Sequence, residues 1–249
     1  MGYLVMQGVV QLAVVTAGVP GTFFDALDVS NMEGGFKTEI GRHKEHRSGK
    51  RLDDFSWVKG SEGTLDMNVD DLNKKNLAWL FQGTSTDVAT GSVTGEVIAS
   101  ALPAVGDILR LSRPKVSALV IKDSTGSPKT LTAGTNFTAD NDFGDITIKD
   151  ITTGGGFVAP IKADFSYGAH SNVVLMNQIG NEYWVRFKGL NADNQKVLVE
   201  YYRWKPDPAD KLALITEDVT PPKVSGSLLA DTTKAADAYL GQFGRVVLL

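Results

Sequence analysis

Two histidines and a carboxylate, His43, Glu45 and His46, stand within four residues of one another, and the stretch HRSGKRLDD (His46–Asp54) follows directly. Residues of these types support three kinds of chemistry. Imidazoles with a carboxylate can hold a metal. Clustered arginine and lysine can grip a phosphate. Basic residues followed at once by acids can dock one protein surface on another. The metal is the poorest fit, because residues three apart on a strand face opposite sides and the remaining histidine, His170, is far away in sequence. As a phosphate grip, Arg47, Lys50 and Arg51 would displace about three counterions, giving modest and salt-sensitive affinity. As a docking loop the stretch carries its own complement, since Asp53 and Asp54 follow the basic residues. A plain solvated loop stays open beside both, because exposed ion pairs contribute only ~0–1 kcal/mol.

No other part of the chain assembles reactive groups. There is no G-x-S-x-G, Walker-type or dinucleotide-type glycine motif, and there is no cysteine, which excludes disulfides, thiolate catalysis and cysteine-ligated zinc. TTGGGFVAP lacks a lysine and a following helix, and reads as a hairpin turn. DNDFGD (Asp140–Asp145) follows a calcium loop for three residues only, then places glycine fifth and has Ile151 where a glutamate is needed. It reads as a tight turn. YWVRFKGL interleaves aromatic and basic residues, but its glycine and aromatics miss the RNA-binding pattern. The expectation is a protein with no catalytic residues, no cofactor and no metal.

The elements around these residues are mostly strands. A chain of 249 residues can bury a large core, and a net charge of −4 gives no sign of nucleic-acid affinity. The apolar N-terminus lacks a positive leader, and QGVVQLAVV reads as a strand turning at Gly18–Gly21; no run approaches membrane length, so a soluble, non-exported protein is expected. FKTEI alternates. SEGTLDMNVD puts Leu65, Met67 and Val69 on one face and Glu62, Thr64, Asp66 and Asn68 on the other. YWVRFKGL and KVLVEYYRW predict a hairpin across NADNQ, and KLALITEDV and KVSGSLLAD a last strand pair. One helix is expected in DDLNKKNLAWLFQG, with Asp70 and Asp71 at its N-cap, Leu77, Leu80 and Phe81 on one face, and Gly83 as its stop. GTSTDVATGSVTGEV reads as a loop. Short strands from about Arg113 to Tyr167 suggest an inserted β-module, dividing the chain into 1–111, 112–170 and 171–249.

In this order, FKTEIGRHKEHRSGKRLDD followed by EGTLDMNVDDLNKKNLAWLFQG resembles the major tail tube protein of long-tailed, siphovirus-type bacteriophages. RSGKRLDD and NLAWLFQG come close to the family's loop and its "NLAxxLxG" helix end, although the loop's acidic start is displaced to Glu45. DSTGSPKTLTAG through IKADFSYGA is similar to the family's β-insert, and RFKGLNADNQKVLVEYYRW onward to its C-terminal hairpin. The resemblance implies a mainly β fold, a tail-tube β-sandwich or half-barrel with one short helix and an inserted small β-module. It also implies stacked homohexameric rings, a tape-measure protein inside, tail terminator and tip proteins at the ends, and double-stranded DNA passing without specific binding. The location implied is the virion tail, after assembly in the host cytoplasm, with no membrane. On that basis Glu62, Thr64, Asp66 and Asn68 are expected to line the lumen, because a DNA conduit must not be adhesive. Arg47, Lys50, Arg51, Asp53 and Asp54 are expected to make inter-subunit contacts. The apolar terminal RVVLL suits either an arm on a neighbour or a tail on its own core. Competing readings are a tube of a contractile tail or secretion system, and a β-rich adhesion or carbohydrate-binding module using Trp57, Trp184 or Trp204.

Overall fold

The computed structural model describes residues 6–47, 49–218, 220–234 and 237–249. Along the chain run β1 (Met6–Thr16), β2 (Val19–Pro20), β3 (Phe24–Asp25), β4 (Val29–Lys44), β5 (Asp53–Val69), the helix α1 (Lys74–Leu80), β6 (Thr84–Val88), β7 (Gly91–Ala99), β8 (Ile108–Arg110) and β9 (Val116–Lys122). There follow β10 (Thr130–Leu131), β11 (Phe137–Asp140), β12 (Asp145–Ile148), β13 (Ile161–Tyr167), β14 (His170–Val174), β15 (Glu182–Asn191), β16 (Lys196–Pro206), β17 (Lys223–Leu228) and β18 (Gly244–Leu248). The fold is mainly β, with one short α-helix among the described residues and several sheets.

The chain forms two compact units, one of Met1–Ser85 with Val173–Leu249, the other of Thr86–Asn172. The first boundary lies earlier than residue 111. Residues 86–111 join the second unit because β7 pairs with β13 from Gly91↔Tyr167 to Ala99↔Ile161, and β8 pairs with β12. The segment expected to be a loop is thus two strands, β6 and β7. Its threonines, serines and glycines carry a ladder without an apolar stripe strong enough to announce it.

In the first unit a nine-stranded sheet runs β2-β1-β15-β16-β17-β5-β4, with β3 added to β1 and β18 to β16. The predicted hairpin is present, β15 pairing β16 from Tyr183↔Trp204 to Leu190↔Lys196. The alternation in β5 buries Leu65, Met67 and Val69, and β1 supplies Val10 and Leu12 to the same core. Trp79 of α1 meets Tyr183 and Trp204 with ring centroids 6.4 and 6.1 Å away. Trp204 is fully buried and donates its indole N–H to the Leu65 carbonyl at 3.2 Å. Gly226 makes this possible, since a Cβ there would stand 2.5 Å from that indole nitrogen.

The helix begins later than the sequence suggested. Asn73 is its N-cap, accepting from the backbone N–H groups of Lys75 and Asn76 at 2.9 and 3.0 Å. Asp70 is still tied to the strand connection through its N–H to the Asp28 carbonyl. The buried face is Asn76, Ala78, Trp79 and Leu80, with Leu77 only half-buried. Asn76 is satisfied, donating to the Ala26 and Asp71 carbonyls and accepting from Trp79 Nε1. The left-handed residue after the helix is Gln82 rather than Gly83, because its buried amide is pinned to the Pro206 carbonyl at 2.7 Å. KLALITEDV forms no strand among its described residues; only β17 of that expected pair exists.

The second unit packs the sheets β10-β9-β13-β7 and β11-β12-β8 around Ile121, Phe137, Ile146, Ile148, Ile161 and Phe165. Asp140–Asp145 is the tight turn of the β11–β12 pair, the Asp140 carboxylate accepting from the N–H groups of Asp142 and Phe143. TTGGGFVAP is not a hairpin turn. It carries the chain from β12 in one sheet to β13 in the other, with Gly154, Gly155 and Gly156 all at positive φ. No helix among the described residues is long and apolar enough to cross a membrane. Asn73→Ala should lower the unfolding free energy by about 1 kcal/mol in urea titration, whereas Asp70→Ala and Asp71→Ala should each cost less than Asn73→Ala.

Candidate assembly surface on the long hairpin

The longest pairing in the chain joins β4 to β5, from Val29↔Val69 out to Lys44↔Asp53. β17 supports β5 only along Gly63–Asn68. Beyond that point the two strands continue as a ribbon whose residues are exposed almost throughout. Register decides which side chains share a face. Ile40 lies opposite Val58, and Gly41 opposite Trp57 with His43 opposite Phe55. One face therefore presents Ile40 and Val58, continuing the line of Phe36, and the other presents Phe55 and Trp57.

Each patch is substantially wet. Val58 is 65% exposed, Phe55 63%, Phe36 60% and Trp57 44%. The Phe55 and Trp57 rings stack at 5.8 Å and 21°, and Trp57 lies over Gly41, where a Cβ would sit 2.4 Å from the indole. Glycine at 41 thus lets the indole lie flat along the ribbon. On the other face Phe36 meets Phe243 edge-on and the Tyr201 ring at a tilt, while most of its surface remains in water.

The charged tip is arranged differently from its simplest reading. Arg47, Lys50 and Arg51 lie in the exposed turn between the strands, with Gly49 and Arg51 at positive φ. Asp53 and Asp54 belong to β5 and are held within the hairpin, Asp53 by Arg42 at 3.3 Å and Asp54 by His43 at 2.7 Å. Neither guanidinium of Arg47 and Arg51 is ion-paired among the described residues. The Arg47 backbone N–H is bonded to Glu45 at 3.1 Å. His43 holds the Asp54 carboxyl below its ordinary range. The His43 and His46 rings meet edge to face at 5.8 Å, because the strand ends between them and the alternation with it. No group of three or more metal-ligating side chains occurs among the described residues.

Glu62, Thr64, Asp66 and Asn68 share the side of β5 away from the core, as the alternation required. Their neighbours are Lys37, Gly35, Glu33 and Asn31 on β4 and Ser227, Ser225 and Lys223 on β17. Asp66 pairs with Lys223 at 2.9 Å. Three carboxylates are thus met by two lysines, and the surface is mixed and polar rather than acidic. Of the tryptophans considered for sugar stacking, Trp204 is buried, Trp184 packs on Tyr202 at 4.7 Å, and Trp57 alone offers an open ring. The apolar ribbon faces were not recognised from the sequence; the signal was FSWV, two aromatics and a valine inside a charged run.

The comparisons with known proteins bear on the chain as a whole. The model of a family described as "Protein of unknown function UCP028589" matches residues 3–247. The chain belongs to that family. The match spans both units, so the second unit is part of the family's architecture and not an addition peculiar to this chain. No curated protein matches the chain.

Lys223 bonds Asp66 and holds its carboxyl below the ordinary range, despite partial burial. A carboxyl with a depressed folded pKa contributes stability above its unfolded value and loses it as pH falls through the folded one. The stability gap between the wild type and Asp66→Asn should therefore be widest at neutral pH and narrow below about pH 4. Urea midpoints across pH 7 to 2.5 check this; a gap unchanged with pH rules it out.

Proposed function

We propose that the chain is a structural protein that assembles head to tail into stacked hexameric rings, forming the tail tube of a long-tailed bacteriophage through which the genome is ejected. The observation that supports this reading is the ribbon with an apolar patch on each of its two faces. An isologous pair covers one face and leaves the other in water. Covering both places each ribbon between two others, and a heterologous contact of that kind closes into a ring or runs on as a filament. Burying one such side chain is worth about 1.5–3 kcal/mol, so several per contact suffice to drive association. Six copies per ring, a tape-measure protein within, terminator and tip proteins at the ends, and location in the virion tail come from the sequence resemblance. The polar side of β5 supports a lumen assignment for Glu62, Thr64, Asp66 and Asn68. The basic tip supports a contact role for Arg47, Lys50 and Arg51, while Asp53 and Asp54 act first by bracing the tip.

A carbohydrate-binding module would use the open Phe55–Trp57 stack as its platform. Glycan binding by a persistent monomer decides for that reading.

Electron microscopy of the purified protein should show six-fold rings or tubes; monomers under every condition refute the proposal. Phe55→Ser/Trp57→Ser and Ile40→Ser/Val58→Ser should each block assembly alone. Mixed, they should give a one-to-one dimer and nothing larger, since one intact face of each kind remains. Charge reversal at Arg47 and Arg51 should weaken assembly most at low salt, read by light scattering across ionic strength. Unchanged assembly returns the tip to a plain surface loop.

A further inference from the structure

The sheet of the first unit does not close. β1 and β4 lie far apart in its strand order, yet both line one cleft of about 700 Å³. Its floor is apolar, with Val10, Met32, Phe187, Val199 and Val246 around the Tyr201 ring. Burial raises the pKa of the Tyr201 hydroxyl. The two walls are strand edges. β4 is the last strand of the sheet, and Met6–Val9 of β1 have β15 on one side and no strand on the other among the described residues. The cleft is therefore a seam, bordered by strand edges and floored by aliphatic and aromatic side chains. Asp28 is the one charged residue that lines it.

The same unit holds a segment of the opposite kind. Lys211–Thr216, KLALIT, has the alternation of a strand but lies outside any strand. Leu214 is 82% and Ile215 98% exposed, more than any other large apolar side chain described. The segment is not adrift, because Ala209 donates to the Leu80 carbonyl and Asp210 to that of Lys223 just before it. In an extended chain Leu212 and Leu214 project to one side, and Lys211 is the only charge in the six residues.

We propose that the seam between β1 and β4 accepts the Lys211–Thr216 segment of a second copy as an added strand. Leu212 and Leu214 fill the apolar floor, and Lys211 meets Asp28. The inference rests on the assembly reading above and names one of its contacts, separate from the ribbon faces. Strand addition fits what the seam lacks, since the added backbone bonds the open edges while alternate side chains enter the floor. A second copy is favoured as the donor because Leu214 and Ile215 stand in water and Leu212, half-buried, does not line the seam of its own molecule.

The absence of native cysteine allows a clean test. Ser30→Cys copies and Ala213→Cys copies, mixed under assembly conditions and oxidised, should yield covalent dimers of one chain of each kind. The double variant, kept dilute, should not cross-link within a single chain. Leu212→Asp/Leu214→Asp, a change in a loop, should need about a tenfold higher concentration to assemble, with an unchanged far-ultraviolet spectrum. If that variant assembles as the wild type does and the mixed cysteines stay unlinked, the seam inference fails while the assembly reading stands. An intramolecular cross-link in the dilute double variant overturns the inference too, by showing that each copy closes its own seam. A wild type that never assembles overturns both.

Discussion

An open β-sheet must leave two rows of backbone N–H and C=O groups without strand partners, and the first unit is organised around that constraint. At one end the short strands β2 and β3 cover part of β1. At the other end β4 runs for 16 residues with no strand on its outer side among the described residues. Solitary proteins blunt such an edge with lysines, prolines, bulges or brevity. This one has the first and third devices, in Lys37, Lys44 and the register shift at Val29/Asn31, where Ser30 is the extra residue, but it is long. It also carries apolar side chains on both faces. A two-stranded ribbon is marginal by itself in water, and past Glu62 no third strand among the described residues supports this one. On the proposed assembly reading, another surface laid against it serves both its order and its wet aromatics.

The body from which the ribbon extends is closely packed by contrast. Trp79, Tyr183 and Trp204 lie within 6.4 Å of one another and join α1, β15 and β16, while the Trp204 indole reaches across to β5 through Leu65. On the reverse face Glu200, almost fully buried, stands between Arg245 at 2.7 Å and Arg186 at 3.0 Å. The Arg245 contact is a hydrogen bond; the Arg186 nitrogen is close enough for charge pairing but lacks that alignment. Arg245 sits in β18, so this acid pins the terminal strand to β16 of its own chain. Of the two readings of RVVLL, the structure shows the tail on its own sheet, although Val246 and Leu248 remain mostly exposed there.

Much of this was legible before the fold was known, and the reasons for success and failure are physical. Leu65, Met67 and Val69 announced a strand because burial on one face forces strict alternation, and the β15–β16 hairpin followed from the same rule. The helix was legible in kind but not in its start, since Asp70, Asp71 and Asn73 are all good caps and only the pull of Asp28 on the Asp70 N–H decides among them. β6 and β7 were missed because strands rich in Ser, Thr and Gly carry no apolar signal, and KLALIT was misread because its pattern is that of a strand without a sheet. At the hairpin tip the sequence showed which charges are present but not their pairing. Asp53 and Asp54 reach back to Arg42 and His43 across the ladder, a contact fixed by register. The two-faced apolar ribbon was hidden for the same reason: opposite faces are assigned only once Ile40↔Val58 and Gly41↔Trp57 are known.

That pairing also changes what the polar side of β5 offers to a passing polyanion. A bare row of carboxylates repels phosphate strongly, while a row of lysines binds it with release of counterions, one for each phosphate neutralised. Here Lys223 is already engaged by Asp66, and Lys37 lies across from Glu62. A phosphate would have to displace the Asp66 carboxylate to gain Lys223, so little is won there on contact, and the hydroxyls of Thr64, Ser225 and Ser227 hold water as readily as they hold phosphate. A surface of mixed sign offers a phosphate backbone less net attraction or repulsion than a row of one sign. On the proposed tube reading, a mixed surface of this kind is a better solution than net acidity, which would add a repulsive barrier at the entrance of every ring.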